Sequence, residues 1–126
     1  MLKDSKAFSG YSVDDVQKAK AFYQGILGLD VSERMGMLQL NIPHSNPIIV
    51  YPKGPAHSPA TFTVLNFPVT DIEKIVDELT QKGVKFEQYG EQFMQDEKGI
   101  TRAEGRPLIA WFKDPAGNIL SVIEER

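Results

Sequence analysis

Val69-Thr70-Asp71-Ile72 heads an apolar-periodic run through Ile75, Val76 and Leu79, and it repeats a pattern met 56 positions earlier in Val13-Asp14-Asp15-Val16. An internal repeat of this kind marks a duplicated module. In each copy a strand ends in Val, an Asp stands where a helix begins, and a short strand and two further extended runs follow. In the first copy Val16, Ala19, Phe22, Tyr23, Ile26 and Leu27 recur at three- and four-residue spacing and form one apolar stripe. Gly28 is placed to stop that helix in the left-handed conformation. Extended runs are expected at 29–31, 37–42 and 48–51. In the second copy a lead strand over 61–69 precedes the helix, Gly83 ends it, and 84–87 reads as the next strand. Residues 108–112 and 118–123 form the closing pair, joined by the turn Asp114-Pro115-Ala116-Gly117.

Between the copies lies Pro52-Lys53-Gly54-Pro55-Ala56-His57-Ser58-Pro59, a connector dense in proline. The pattern predicts an α+β fold: one domain over 1–126, built of two βαβββ modules at about 1–52 and 60–126, with eight strands and two main helices. The polar stretch 89–106 is too long and too charged for a simple turn, and is expected as a flap or as a hairpin with one weak strand.

Composition narrows the function classes. A chain of 126 residues, 41% hydrophobic and 25% charged, can bury a core without metals or disulfides. Fourteen basic against seventeen acidic side chains give a net charge of -3, and the basic residues are scattered. Nucleic acid, which requires a concentrated basic face, is not an expected partner. Zero Cys excludes disulfides, thiol nucleophiles and Cys-ligated zinc. No apolar stretch approaches the ~20 residues that span a bilayer, and Met1-Leu2-Lys3-Asp4-Ser5-Lys6 lacks the apolar core of a signal peptide. A cytoplasmic protein with no membrane partner is expected.

Residues with chemical potential have mostly structural readings. Asp14, Asp15 and Asp71 precede apolar periodic runs and read as helix caps. His44 and His57 sit near prolines and read as surface-loop histidines, and Glu124-Glu125-Arg126 reads as a solvated tail. There is no Gly-x-Ser-x-Gly elbow. Met35-Gly36-Met37 and Phe93-Met94 read as core or crossover packing, although they would suit an adaptable pocket.

Ser12-Val13-Asp14-Asp15 with Phe22-Tyr23 and Leu27-Gly28-Leu29, then Phe67-Pro68-Val69-Thr70-Asp71, then Trp111-Phe112-Lys113-Asp114-Pro115-Ala116-Gly117-Asn118 together resemble the vicinal oxygen chelate superfamily. That superfamily includes glyoxalase I, extradiol dioxygenases, fosfomycin-resistance transferases and bleomycin-resistance proteins. The resemblance implies a curled mixed sheet forming a cup for ligands, and a homodimer. It also implies that the metal-ligand positions of the metal enzymes fall on Phe8, Val64, the strand 48–51 and Ser121. Phe, Val and a lone Ser cannot replace the imidazole, carboxylate or thiolate donors that divalent metals need. No metal and no other cofactor is therefore expected.

Strand alternation extends this reading: if Phe8 faces the cup, so do Gly10 and Ser12, while Tyr11 and Val13 face the helix, and Val64 and Asn66 share a face. The resemblance also implies that Trp111 points inward, opposite Ser121, and the expected binding site is lined by Phe8, Val50, Val64 and Trp111, with Ser12, Asn66 and Ser121 as polar points. It would take a flat, apolar or aromatic small molecule. The leading expectation is a metal-independent glyoxalase/bleomycin-resistance-like binding protein, with no catalytic residue assigned. One alternative is a metal-independent lyase or isomerase using Glu91, Glu104 or Arg106 of the 89–106 segment. A second alternative is a ligand-free structural or regulatory dimer.

Overall fold

In the computed structural model, which describes residues 1–125, the chain divides into two compact units, Met1–Pro59 and Ala60–Arg126. The first unit runs β1 (Gly10–Val13), α1 (Val16–Lys20), β2 (Asp30–Arg34), β3 (Met37–Asn41) and β4 (Ile48–Pro52), with sheet order β1-β4-β3-β2. β1 and β4 are parallel, and the other pairs are antiparallel. The second unit contains β5 (Thr63–Pro68), α2 (Ile72–Gln81), β6 (Leu108–Lys113) and β7 (Ile119–Glu124), with order β5-β7-β6. Here too a parallel pair, β5 with β7, adjoins an antiparallel one. The fold is α+β, with two mixed sheets of four and three strands, and the duplicated pattern has produced two related units.

Each helix start is secured as the sequence indicates. Asp15, rather than Asp14, caps α1, accepting hydrogen bonds from the N–H groups of Gln17 (3.0 Å) and Lys18 (3.1 Å). Asp71 accepts from Lys74 N at α2 (3.2 Å). Glu124 departs from expectation: it is no solvated tail residue, because its Oε1 accepts the free N–H of Ile72 at 2.8 Å and supplies a second cap to α2. Glu125 is exposed, and Arg126 lies outside the described residues.

After Lys20 the first helix widens into a π-helical stretch, Ala21–Ile26, in which Leu27 N reaches back to Phe22 O. The extra residue per turn turns two successive side chains, Phe22 and Tyr23, into the core. Tyr23 is fully buried, and its phenol accepts a hydrogen bond from Tyr11 at 2.7 Å, so neither ring carries an unpaired hydroxyl inside. Gly28, at φ +72°, then ends the helix in the left-handed region expected of it.

Side chains paired in register share a face of the sheet. In the first unit Tyr11, Leu38 and Val50 form one such row, and Tyr11 bonds the helix, so this row belongs to the core beneath α1. The opposite face carries Ser12, Tyr51, Ile49 and Gln39. In the second unit Ala110, Phe112, Leu120 and Val122 are buried in the core with Ile72 and Val76 of α2.

The expected strand over 84–87 does not form. Among the described residues its one backbone bond to β6 is Glu87 N to Trp111 O at 2.8 Å, while Glu87 O is taken by the side-chain amide of Gln95 at 2.9 Å. That amide also donates to Gly99 O (2.9 Å) and accepts Tyr89 N (2.6 Å), so one side chain does what a neighbouring strand would do. Single bridges Gln95 to Thr101 and Thr101 to Ile109 complete the edge of β6. The segment 89–106 is thus a compact loop pinned at Gln95 and at the buried Ile100.

β2 and β3 are joined by Met35 and Gly36, both at positive φ (53° and 79°), the geometry of a type I′ hairpin turn. Met35 is 91% exposed, so the packing role expected for it is not realised. A side chain with no local hydrogen bond is poorly suited to the left-handed region. Met35→Asn is expected to raise unfolding stability by about 0.5–1 kcal/mol, read as a higher urea midpoint at unchanged slope.

Candidate functional site

The second unit holds the more developed site. Trp111 of β6, Ser121 of β7 and Asn66 of β5 stand in one register row, on the face opposite the helix-packed core. Three of the expected site residues are thereby brought side by side across three strands. Trp111 is flanked by two aromatic side chains from the pinned loop: ring centroids lie 5.5 Å from Tyr89 and 5.9 Å from Phe93, and those two lie 5.8 Å apart. All three contacts are tilted or edge-to-face, the arrangement that ring quadrupoles favour. Together with Thr63, Ile119 and Phe62 they border an open cleft of about 370 Å³, within the range of small-molecule sites. Phe62 is 67% exposed at its rim.

Of the expected site residues in this unit only Trp111 is in this lining; Asn66, Ser121 and Val64 are not. The register between β5 and β7 shifts between Thr63 and Leu65, which leaves Val64 unpaired at the irregularity and puts Thr63 opposite Ile119 on the cleft face. The expected position of Val64 is therefore filled by Thr63. Strict alternation could not foresee a bulge.

Ser121 is fully buried, and its Oγ donates to Asn66 Oδ1 at 2.5 Å. Asn66 itself is exposed. In the wall, Tyr89 Oη is closed off from solvent and has no hydrogen-bond partner among the described residues. Burial pushes the Tyr89 phenol pKa up, with the nearby Glu87 carboxylate adding to the effect, so the group is a neutral phenol at physiological pH.

The loop that carries Tyr89 and Phe93 is tied to α2 by charge. Arg102 meets Asp96 (2.8 Å) and Glu73 (3.2 Å), and Lys98 meets Asp77 (3.1 Å). Asp96 also accepts the N–H groups of Lys98 and Ile100, both at 2.9 Å. Partial burial pushes the Asp96 carboxyl up, but the Arg102 hydrogen bond and the two backbone N–H groups outweigh it and hold the pKa below its ordinary 3.8. A carboxyl depressed in the folded state adds stability that is present above its unfolded pKa and is lost as pH falls through the folded value. Wild type is therefore expected to lose its advantage over Asp96→Asn as urea midpoints are followed from neutral pH to below 3.8.

In the first unit Val50 is removed from the expected lining. It has 0% exposure and lies in register with Tyr11 and Leu38, on the helix side of the sheet. Its neighbours Ile49 and Tyr51 take the opposite face. Phe8 precedes β1, is 66% exposed, and borders a separate groove of about 330 Å³ with Met35, Met37, Ile49, Gln39 and Arg34. Ser12 lies elsewhere on that face, with its Oγ 2.8 Å from His57 Nδ1. His57, 45 positions away in the connector, is thus no simple loop histidine. Only a signal that folds the connector back onto β1 could have found this pair, and none is present in a single sequence.

The positions that the resemblance assigns to metal ligands do not suit a divalent ion. Phe8 and Val64 have no donor atom, Val50 is core, and Ser121 Oγ is committed to Asn66. Among the described residues no three His, Asp or Glu side chains converge as a metal set would. Glu91, Glu104 and Arg106 are exposed. No helix among the described residues is long and apolar enough to cross a membrane.

Solved structures share this architecture. An antibiotic binding protein, TnmS3 from Streptomyces sp. CB03234, superposes with a TM-score of 0.73 at 19% identity, covering 100% of this chain and 99% of that one. A Glyoxalase/bleomycin resistance protein/dioxygenase superfamily member from Sphaerobacter thermophilus DSM 20745 gives 0.73 at 20% identity, covering 99% and 100%. Lactoylglutathione lyase from Agrobacterium tumefaciens gives 0.70 at 16%, covering 98% and 96%. At such identities the likeness is one of fold. No curated protein matches the chain in sequence. The family model for the Glyoxalase/Bleomycin resistance protein/Dioxygenase superfamily, however, matches residues 8–122, from the approach to β1 to the middle of β7, and the chain belongs to that superfamily.

Proposed function

We propose that the protein binds a flat apolar or aromatic small molecule in the cleft beside Trp111, without a metal ion, and sequesters it rather than transforming it. The observation that carries this reading is the set of three mutually packed rings, Trp111, Tyr89 and Phe93, around an open space of about 370 Å³. Aromatic walls favour flat ligands through stacking and apolar burial. The unpaired Tyr89 hydroxyl in the wall adds support, since a buried phenol without a partner favours any state that supplies one. The antibiotic-binding activity named for a structural neighbour is of the same kind. The lyase or isomerase reading has less support, because Glu91, Glu104 and Arg106 are exposed rather than held in a cavity. We place the activity in the cytoplasm, in keeping with a chain free of cysteine.

A homodimer belongs to the same proposal. Phe8 and Phe62 are each about two-thirds exposed, and large apolar side chains at a surface favour a partner surface. Light scattering on the eluted protein should give twice the mass of one chain, and a single-chain mass would overturn this part.

The binding test uses the chelator-treated protein. Trp111 is the only tryptophan in the chain, so its emission reports the cleft directly. A panel of aromatic antibiotics and metabolites should contain compounds that both quench Trp111 and raise the thermal midpoint, with nickel, zinc and manganese giving no shift. A midpoint raised by a metal alone would overturn the reading.

A further inference from the structure

Two neighbouring charges of β2 have opposite fates. Glu33 turns to the helix side of the sheet, where it pairs with Lys20 at 2.8 Å and accepts the Gln17 amide at 3.2 Å. Arg34 is next along the strand, so its side chain takes the other face. There it stands in register with Met37 of β3, and its guanidinium makes no hydrogen bond or ion pair among the described residues. The one acid on its own face of β2 is Asp30, four residues and about 13 Å away along the strand. Arg34 instead borders the groove of about 330 Å³ beside Phe8, whose walls include Met35, Met37, Ile49 and Gln39. Phe8 is held there by its own chain. Asn46 Nδ2 donates to Ala7 O at 2.6 Å and Ile49 N donates to Ser9 O at 3.0 Å, which keeps the segment before β1 alongside β4. The groove thus joins a mainly apolar surface to an unpaired cation.

We infer that this groove is a second small-molecule site, and that it takes an organic acid with an alkyl body, such as a medium-chain fatty carboxylate. The walls set the body. Two flexible thioether side chains and Ile49 adapt to an alkyl chain, and Phe8 is the one ring in the lining, so the stacking that suits flat ligands at Trp111 is lacking here. Arg34 sets the head group, because a guanidinium donates two parallel N–H bonds to a carboxylate. The volume lies near the lower end of small-molecule sites and suits a chain of about eight carbons. Since Arg34 is exposed, its pairing with the head group is screened and adds about 2- to 5-fold in affinity, while apolar contact supplies the rest. The site does not depend on the reading of the cleft beside Trp111, with which it shares no residue.

Methyl-labelled methionine locates the ligand and measures its affinity in one titration, because the chain has only four methionines. Octanoate is compared with octanamide, which matches it in shape and lacks the charge. In wild type octanoate should shift the Met35 and Met37 methyl signals, while Met94, next to the cleft ring Phe93, and the Trp111 emission stay unchanged. It should bind about 2- to 5-fold more tightly than octanamide, and the margin should shrink in about 0.5 M salt. Arg34→Gln should abolish the margin and leave octanamide affinity within twofold. Met35→Asn, which the hairpin turn favours, should weaken both ligands by about threefold through lost apolar contact. Equal binding of the two ligands by wild type, or a margin that survives Arg34→Gln, overturns the proposal. Octanoate that quenches Trp111 and shifts Met94 but not Met35 or Met37 has entered the cleft, and overturns it as well. Met35 and Met37 signals that move with protein concentration and not with octanoate would assign the groove to a second copy of the chain, which also overturns it.

Discussion

Asp114→Ala is expected to lower the unfolding free energy by about 3 kcal/mol, which for a chain of this size corresponds to a midpoint about 10 °C lower. Asp114 is almost fully buried and closes the turn between β6 and β7. Its Oδ1 accepts the N–H groups of Ala116 (3.0 Å) and Asn118 (2.9 Å), and its Oδ2 accepts the side-chain amide of Asn118 (3.0 Å). Asn118 is buried as well, so two of the three donors would have no water to turn to. Orphaning a buried donor costs roughly 1–3 kcal/mol, and the half-exposed Ala116 contributes less than the others. Asp114→Asn should cost about half as much, because its oxygen still serves the two backbone donors while its amide faces that of Asn118. Urea unfolding of the two variants gives the ranking directly. A loss under about 1 kcal/mol for Asp114→Ala would mean that the turn holds its shape through its backbone bonds, Asp114 N to Asn118 O and Gly117 N to Asp114 O.

The same turn shows what one sequence discloses. Asp114-Pro115-Ala116-Gly117 was legible because turn chemistry is local: an Asp that bonds the backbone a few residues on, and a Gly that accepts positive φ. The caps at Asp15 and Asp71 and the end at Gly28 were legible for similar reasons, since each depends on near neighbours, whereas the row of Trp111 with Ser121 followed from the resemblance to the superfamily. What failed depends on distant partners. The resemblance put Val64 and the strand of Val50 at ligand positions, but a bulge takes Val64 out of the cleft lining, and the face of Val50 follows from pairing with Tyr11 far along the chain. The strand at 84–87 was lost to a single side chain, Gln95, that satisfies backbone groups a neighbouring strand would otherwise have met. Tyr89 and Phe93 became the cleft wall because that amide and the charges of Asp96 and Arg102 fold the loop. Two aromatic residues within a polar stretch were the one local hint of that role.

Trp111→Ala is expected to weaken binding of a flat aromatic ligand by about 30-fold, or about 2 kcal/mol, as the sum of lost stacking and lost apolar contact. Trp111 is the one ring of the cleft supplied by a strand; Tyr89 and Phe93 come from the loop and lean on it. Its removal therefore takes away a ligand contact and also the surface that positions the other two. Trp111→Phe separates these effects, since a smaller ring keeps a face for the ligand and an edge for Tyr89, and it should retain affinity to within about fivefold. Both variants should keep the acid-sensitive part of stability that comes from Asp96, because that carboxyl is held by Arg102 and by backbone N–H groups rather than by the cleft. If Trp111→Ala bound aromatic probes as well as wild type while its loop stayed pinned, the ligand would have to lie against some other surface. The groove beside Phe8 and Met35 would then be the next place to test.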